Sequence, residues 1–168
     1  MIIVEERLKE LFEALPQINV SGKSYNISYG FGSHKDLLRF MNSERKFRGG
    51  VEYPLIWLET PIERDVRRDK KIDLAGLTLI LATLSNAEKS NVERLEVTFK
   101  PTLIPLYDMV IKALKRSGFT QIINNGEQKV TTFYNYGVNE EEHEATDIWD
   151  VLKIQLDLIM DNTCPQAC

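Results

Sequence analysis

The chain has 168 residues, which suits one domain and is long enough to bury a core. Its 43% hydrophobic and 27% charged residues belong to the ordinary globular class and exclude a disordered polymer. A formal net charge of -4 argues against non-specific nucleic-acid binding as a main task.

The N-terminus, M-I-I-V-E-E-R-L-K-E, carries acidic residues where a secretory leader has its basic and apolar regions, so synthesis in a cytoplasm is expected. Residues 2–15 place Ile3, Leu8, Leu11, Phe12 and Leu15 at helical spacing, and Pro16 ends the predicted helix. Ser21-Gly22-Lys23 signals a turn. Tyr25, Ile27 and Tyr29 then alternate with small polar residues as a short strand, which Gly30 and Gly32 are expected to break. Ser33 is placed to cap a helix from His34 to about Asn42, with Leu37, Leu38 and Met41 inward.

Ser43 to Gly50 reads as a polar loop, and Tyr53 to Glu59 as a buried strand. The segment 61–71, P-I-E-R-D-V-R-R-D-K-K, is dense in both signs of charge and predicts an exposed loop or a hairpin arm. Leu74 to Leu84 is apolar on both faces, as in a central strand covered on each side. At about half the ~20 residues of a membrane-spanning helix it gives no membrane segment.

Residues 91–117 form the main helical region, capped at Asn91, with a kink or break expected at Pro101 and Pro105. Gly118 terminates it, and Phe119 to Ile123 predicts a strand before the turn Asn124-Asn125-Gly126. Val130 to Tyr136 is β-prone and aromatic. Glu140-Glu141-Glu142 marks a solvated loop. Asp147 to Asp161 then alternates over its whole length: Ile148, Leu152, Ile154, Leu156, Leu158 and Met160 share one face, with Asp150 the lone polar member. A strand this long must pair widely across a sheet.

The order predicts a single α+β domain over residues 1–161, with a mainly antiparallel sheet and helices packed on one face. Residues 162–168 read as a flexible tail. Its cysteines, Cys164 and Cys168, stand in C-P-Q-A-C, where a disulfide would stabilise little; a metal site shared between subunits is the alternative to a reduced tail.

Chemical motifs are sparse. Tyr29-Gly30-Phe31-Gly32-Ser33-His34 lacks the lysine and hydroxyl spacing of a phosphate loop, and Ser33 beside His34 lacks an orienting third group. A strand-to-helix turn with a serine cap accounts for the segment. The acidic runs lack calcium-loop spacing, and His143 sits inside one of them. No catalytic residue, cofactor or metal ligand is assigned, and no enzyme activity is expected. In the arm, Arg64, Arg67, Arg68, Lys70 and Lys71 alternate with Glu63, Asp65 and Asp69, without the aromatics that stack on bases. Three readings of it stand: a solvated hairpin, a contact with a neighbouring subunit, or a wall along which DNA passes.

Several phrases carry a family likeness: Y-P-L-I-W-L-E-T (Tyr53 to Thr60), A-T-L-S-N (Ala82 to Asn86), R-L-E-V-T-F-K-P-T-L-I-P-L-Y-D-M-V-I-K-A-L (Arg94 to Leu114) and the final D-I-W-D strand. In order and wording the chain resembles head-tail junction proteins of tailed phages, most of all the tail-completion or tail-terminator type. The resemblance implies a structural virion protein without cofactor or enzyme activity. It implies a homo-oligomeric ring at the tail-head junction, made in the bacterial cytoplasm, that caps the tail tube and meets the head connector or portal. DNA would pass through such a ring without sequence-specific binding. The arm Arg64 to Lys71 and the aromatic Phe133, Tyr134 and Tyr136 are the candidate subunit contacts, along with the tail after Asp161. The alternatives are a portal-attached neck ring of a short-tailed phage and, from another class, a small cytoplasmic ligand-binding protein with Tyr25, Tyr29, Trp57, Tyr134 and Tyr136 around a pocket.

Overall fold

The computed structural model describes residues 3–46, 53–86, 88–136 and 147–161. The expected acidic loop with His143 and the cysteine tail lie outside the described residues, as does the second half of the expected Ser43–Gly50 loop, whose first four positions continue a helix.

Helix α1 (Val4–Glu13) turns Val4, Leu8 and Phe12 inward, one side chain per turn. A separate hairpin follows, made of β1 (Ile18–Val20) and β2 (Lys23–Tyr25). Then come β3 (Ser28–Gly32), α2 (His34–Lys46), β4 (Leu55–Glu59), β5 (Glu63–Val66) and β6 (Lys71–Asn86). Helix α3 (Asn91–Arg94), a π-helical stretch (Leu95–Leu103) and α4 (Ile104–Arg116) precede β7 (Thr120–Ile122), a 3-10 turn (Asn124–Gly126), β8 (Gln128–Tyr136) and β9 (Asp147–Asp161). The architecture is α+β with a mixed, mostly antiparallel seven-stranded sheet, in line with the expected class.

β6 and β9 form the spine of that sheet. Along the outer side of β6 run β4, with β3 beyond it, and β5; along the outer side of β9 run β7 and β8. Among the described residues only the β3–β4 pair is parallel. The charge-dense segment is a hairpin, as one of its readings held: β5 folds back on the first residues of β6.

One irregularity organises the spine. Leu74 stands opposite Leu158 while Leu77 stands opposite Leu156, so β6 carries one extra residue. Gly76 takes a φ of +62° there, and its N–H donates to Asp157 Oδ1 at 2.7 Å. Side-chain parity reverses across the bulge. Ile72 and Leu74 point into the same core as Leu77, Leu79 and Leu81, although simple alternation would send the two sets to opposite faces. Each such leucine contributes about 1.5–3 kcal/mol when fully buried.

Helix α1, the π-helical stretch and α4 cover this face, with Phe12, Phe99, Leu103, Leu106, Val110 and Leu114 against the leucine rows. The other face has its own smaller core. Leu37 and Met41 of α2 pack there on Leu55, Trp57, Ile80, Ala82, Trp149 and Val151. The expectation of helices on one face therefore holds for α1 and α4 and is corrected for α2. The reason is the double-sided apolarity of β4 and β6, which requires cover on both faces.

Further expectations change. The stretch around Tyr25–Tyr29 is divided between β2 and β3, and Gly30 lies inside β3, whose last residue is Gly32. Their lack of a side chain admits the Trp57 ring: a Cβ on Gly30 would meet Trp57 ring atoms at 2.7 and 2.8 Å. Gly30→Ala is accordingly expected to destabilise the chain by about 1–3 kcal/mol through overpacking, measured by urea unfolding. The prolines do not break the helix. The backbone stays helical from Asn91 through Arg116, and wider π-type turns take in Pro101, which has no N–H to donate and would clash with the preceding turn of an α-helix. The cap sits one residue earlier than expected, where the Ser90 hydroxyl accepts from Glu93 N–H and the Glu93 carboxylate accepts from Ser90 N–H.

Candidate functional site

The candidate contact residues fall on two opposite edges of the sheet. On the β5 edge, Arg64 is tied to Glu5 of α1, and Arg67 bridges Asp69 at 3.3 Å and Asp73 at 3.5 Å. Arg68 and Lys70 project from the hairpin turn, exposed and without an ion-pair partner among the described residues. Lys71 opens β6 opposite Asp161. The arm is thus partly neutralised from within, which suits a docked surface more than a cationic groove.

On the other edge, Phe133, Tyr134 and Tyr136 are half-buried in β8 and face different ways. Tyr134 lies on the α1 and α4 side, its ring 4.9 Å from that of Phe99 and 5.3 Å from the Arg94 guanidinium. Phe133 and Tyr136 lie on the α2 side in a T-shaped pair at 5.3 Å. Each aromatic already packs within its own chain, so the exposed side chains of the strand are Lys129, Val130, Thr132 and Asn135.

Beside α2, four polar side chains from four elements meet. Tyr136 Oη lies 3.1 Å from His34 Nδ1, His34 Nδ1 lies 3.7 Å from Glu59 Oε1, and Lys153 Nζ donates to Glu59 Oε2 at 2.9 Å. Burial, reinforced by the Glu59 charge, pushes the Tyr136 hydroxyl up to about 12, so it stays protonated near neutrality. The cluster borders an open cleft of about 480 Å³ lined by His34, Glu59, Glu63 and Thr78. Glu59 and Lys153 gave no sign in sequence, since the pairing of β4 and β9 to β6 is what brings them together.

Ser33 does not join this cluster. Its hydroxyl donates to Asp36 Oδ2 at 2.6 Å and accepts from Asp36 N–H at 3.2 Å, which caps α2. That cap holds the Asp36 carboxyl below its ordinary range. No hydrogen bond links Ser33 to His34 among the described residues. The aromatics suggested for a ligand pocket do not converge either. Tyr29 and Tyr134 pack on the α1 side of the sheet, whereas Trp57 and Tyr136 pack on the α2 side. Tyr25 lines a separate, open cleft of about 270 Å³ with Tyr53 and Leu84.

A buried ion pair is the strongest polar feature that sequence reasoning missed. Arg94 and Asp150 are 3% and 0% exposed and meet at 3.2 Å. Asn135 accepts from the same Arg94 Nη1 that faces Asp150, and Asn91 accepts from Nη2. The signal was Asp150 itself, alone on an apolar strand face. Among the described residues no group of three or more metal-binding side chains is present, and no helix is long and apolar enough to cross a membrane. No protein-family model matches the chain, and no curated protein matches it significantly.

Proposed function

We propose that this chain is a structural subunit that assembles head to tail into a closed ring at the tail-head junction of a tailed phage, as a tail-completion or tail-terminator protein. The observation that carries the proposal is the placement of the two candidate contacts on opposite edges of one sheet, β3 and β5 on one side and β7 and β8 on the other. A ring requires two different surfaces per copy, turned away from each other, each complementary to the other. The phrases from Tyr53 to Leu114 supply the phage context. DNA passes such a ring without being gripped, in keeping with a net charge of -4.

The test is the solution mass of the purified full chain across a concentration series, with negative-stain images of any large species, alone and with tail-tube or portal protein. A discrete ring that caps tail tubes is the expected result. A ring that binds portal and ignores tubes selects the neck-ring alternative. A chain that stays monomeric with every partner overturns the proposal.

A further inference from the structure

We infer that the copies join by continuing the sheet, with β8 of one copy pairing antiparallel with β3 of the next and Val130 of the first meeting Phe31 of the second. This rests on the ring proposal and adds which edges meet and in what register.

Among the described residues, the β3 edge carries no guard, and the β8 edge carries a single charge, Lys129, at its start. Exposed edge strands are ordinarily protected by charge, proline or cover, because their free N–H and C=O groups recruit other strands. No charged residue and no proline occurs in Ser28–Gly32 or in Val130–Tyr136. Among the described residues, β3 pairs only with β4, and β8 only with β9. β5 on the same side as β3 reads Glu-Arg-Asp-Val and carries the usual charges.

Direction is compatible. β3 runs parallel to β4, β4 antiparallel to β6, β6 antiparallel to β9, and β9 antiparallel to β8. β3 and β8 therefore run oppositely within one copy. When a second copy extends the sheet in the same sense, its β3 lies antiparallel to the first copy's β8, the more favourable ladder.

Height along the strands is also compatible. One row of cross-strand partners runs Phe31, Leu58, Leu79, Ile154, Val130; another runs Ser28, Leu55, Ala82, Val151, Phe133. The two open edges thus sit at the same level, and a neighbour docks without sliding along the strand axis. The first row lies on the face of α1 and α4, as the burial of Leu58, Leu79 and Ile154 in that core shows. Its two ends, Phe31 at 51% and Val130 at 43% exposure, are among the largest apolar side chains left in water. Continuing the sheet makes them direct cross-strand partners and covers both. A contact within a two-fold pair of β8 strands would bury Val130 and leave Phe31 exposed.

The experiment compares the full chain with Phe31→Glu, Val130→Lys and the double variant. Both side chains are exposed in the single copy, and far-UV circular dichroism with urea midpoints checks the fold. Phe31→Ser and Val130→Ser report on the same contact should a charge disturb folding. Each single variant is expected to raise the concentration needed for assembly about tenfold or more, because a charge enters an apolar contact. The double variant is expected to recover most of that loss, since opposite charges directly across a strand pair attract. Rings that form in every single variant at the wild-type concentration, or a double variant no better than the singles, would overturn the edge pairing alone; a closed two-fold dimer would overturn the ring proposal as well. A wild-type chain monomeric with all partners removes the ring proposal with it.

Discussion

Arg94→Met lowers the stability of the chain by about 3–5 kcal/mol, read from the urea midpoint and slope. The substitution keeps much of the side-chain volume but leaves the Asp150 carboxylate without its cation at a site with 0% exposure. Asn91 and Asn135 lose their guanidinium donors at the same time. The effect measures an orphaned charge rather than the net worth of the pair, so Arg94→Met with Asp150→Leu recovers a large part of it. The deficit also depends on pH in a defined sense. Burial raises the Asp150 pKa, with Ser85, Arg94 and Thr98 opposing the rise, so the folded chain keeps this proton to a higher pH than the unfolded chain does. The group then favours folding most at low pH and loses that contribution as pH rises through the raised value. Removing the Arg94 charge raises the value further. The deficit of Arg94→Met is therefore largest near neutrality and shrinks as pH falls toward the unfolded value near 3.8. A deficit independent of pH would show that lost packing, not the stranded carboxylate, dominates.

Trp149→Ala is expected to destabilise by a similar amount, about 3–5 kcal/mol, with a local consequence. Trp149 is 1% exposed, and its ring lies 4.7 Å from that of Tyr53. It is one of the two largest side chains in the small core under α2, together with Trp57. Leu37 and Met41 anchor the helix there, and the other fully buried members of this core belong to strands held by their ladders and unable to collapse into the space. The void therefore persists and α2 loosens before the rest. Amide exchange should quicken across α2 while α4, packed on the opposite face, keeps its protection. Equal acceleration in both helices would mean that the two cores unfold as one unit.

Much of the fold was legible because it rests on local periodicity. The alternation from Asp147 to Asp161 matches β9 residue for residue, and the two-faced apolarity of Leu74 to Leu84 correctly implied cover on both sides. Features that depend on distant partners were not legible. The side chosen by α2 follows from which strand face was still bare. The glycines of β3 were read as breakers because the Trp57 ring that needs their space lies on another strand. Asp150 was noticed as an exception, but its partner is 56 residues away in the helical region. The candidate contacts follow from the ring that the resemblance implies. That they lie on opposite edges is a property of strand order, which no local pattern encodes.

The extra residue in β6 has a bearing on how the chain finds this fold. Two long apolar strands such as β6 and β9 offer many alignments of similar hydrophobic content, and leucine-rich strands are prone to settle in the wrong one. A shift by one place turns the leucines of β6 outward. A shift by two keeps them inward but carries Gly76 away from Asp157, whose carboxylate also accepts from Asn124 beside β7. The bulge thus acts as an index mark: only one alignment satisfies both the oily rows and this single acid, and competing alignments are penalised before the helices close over the sheet.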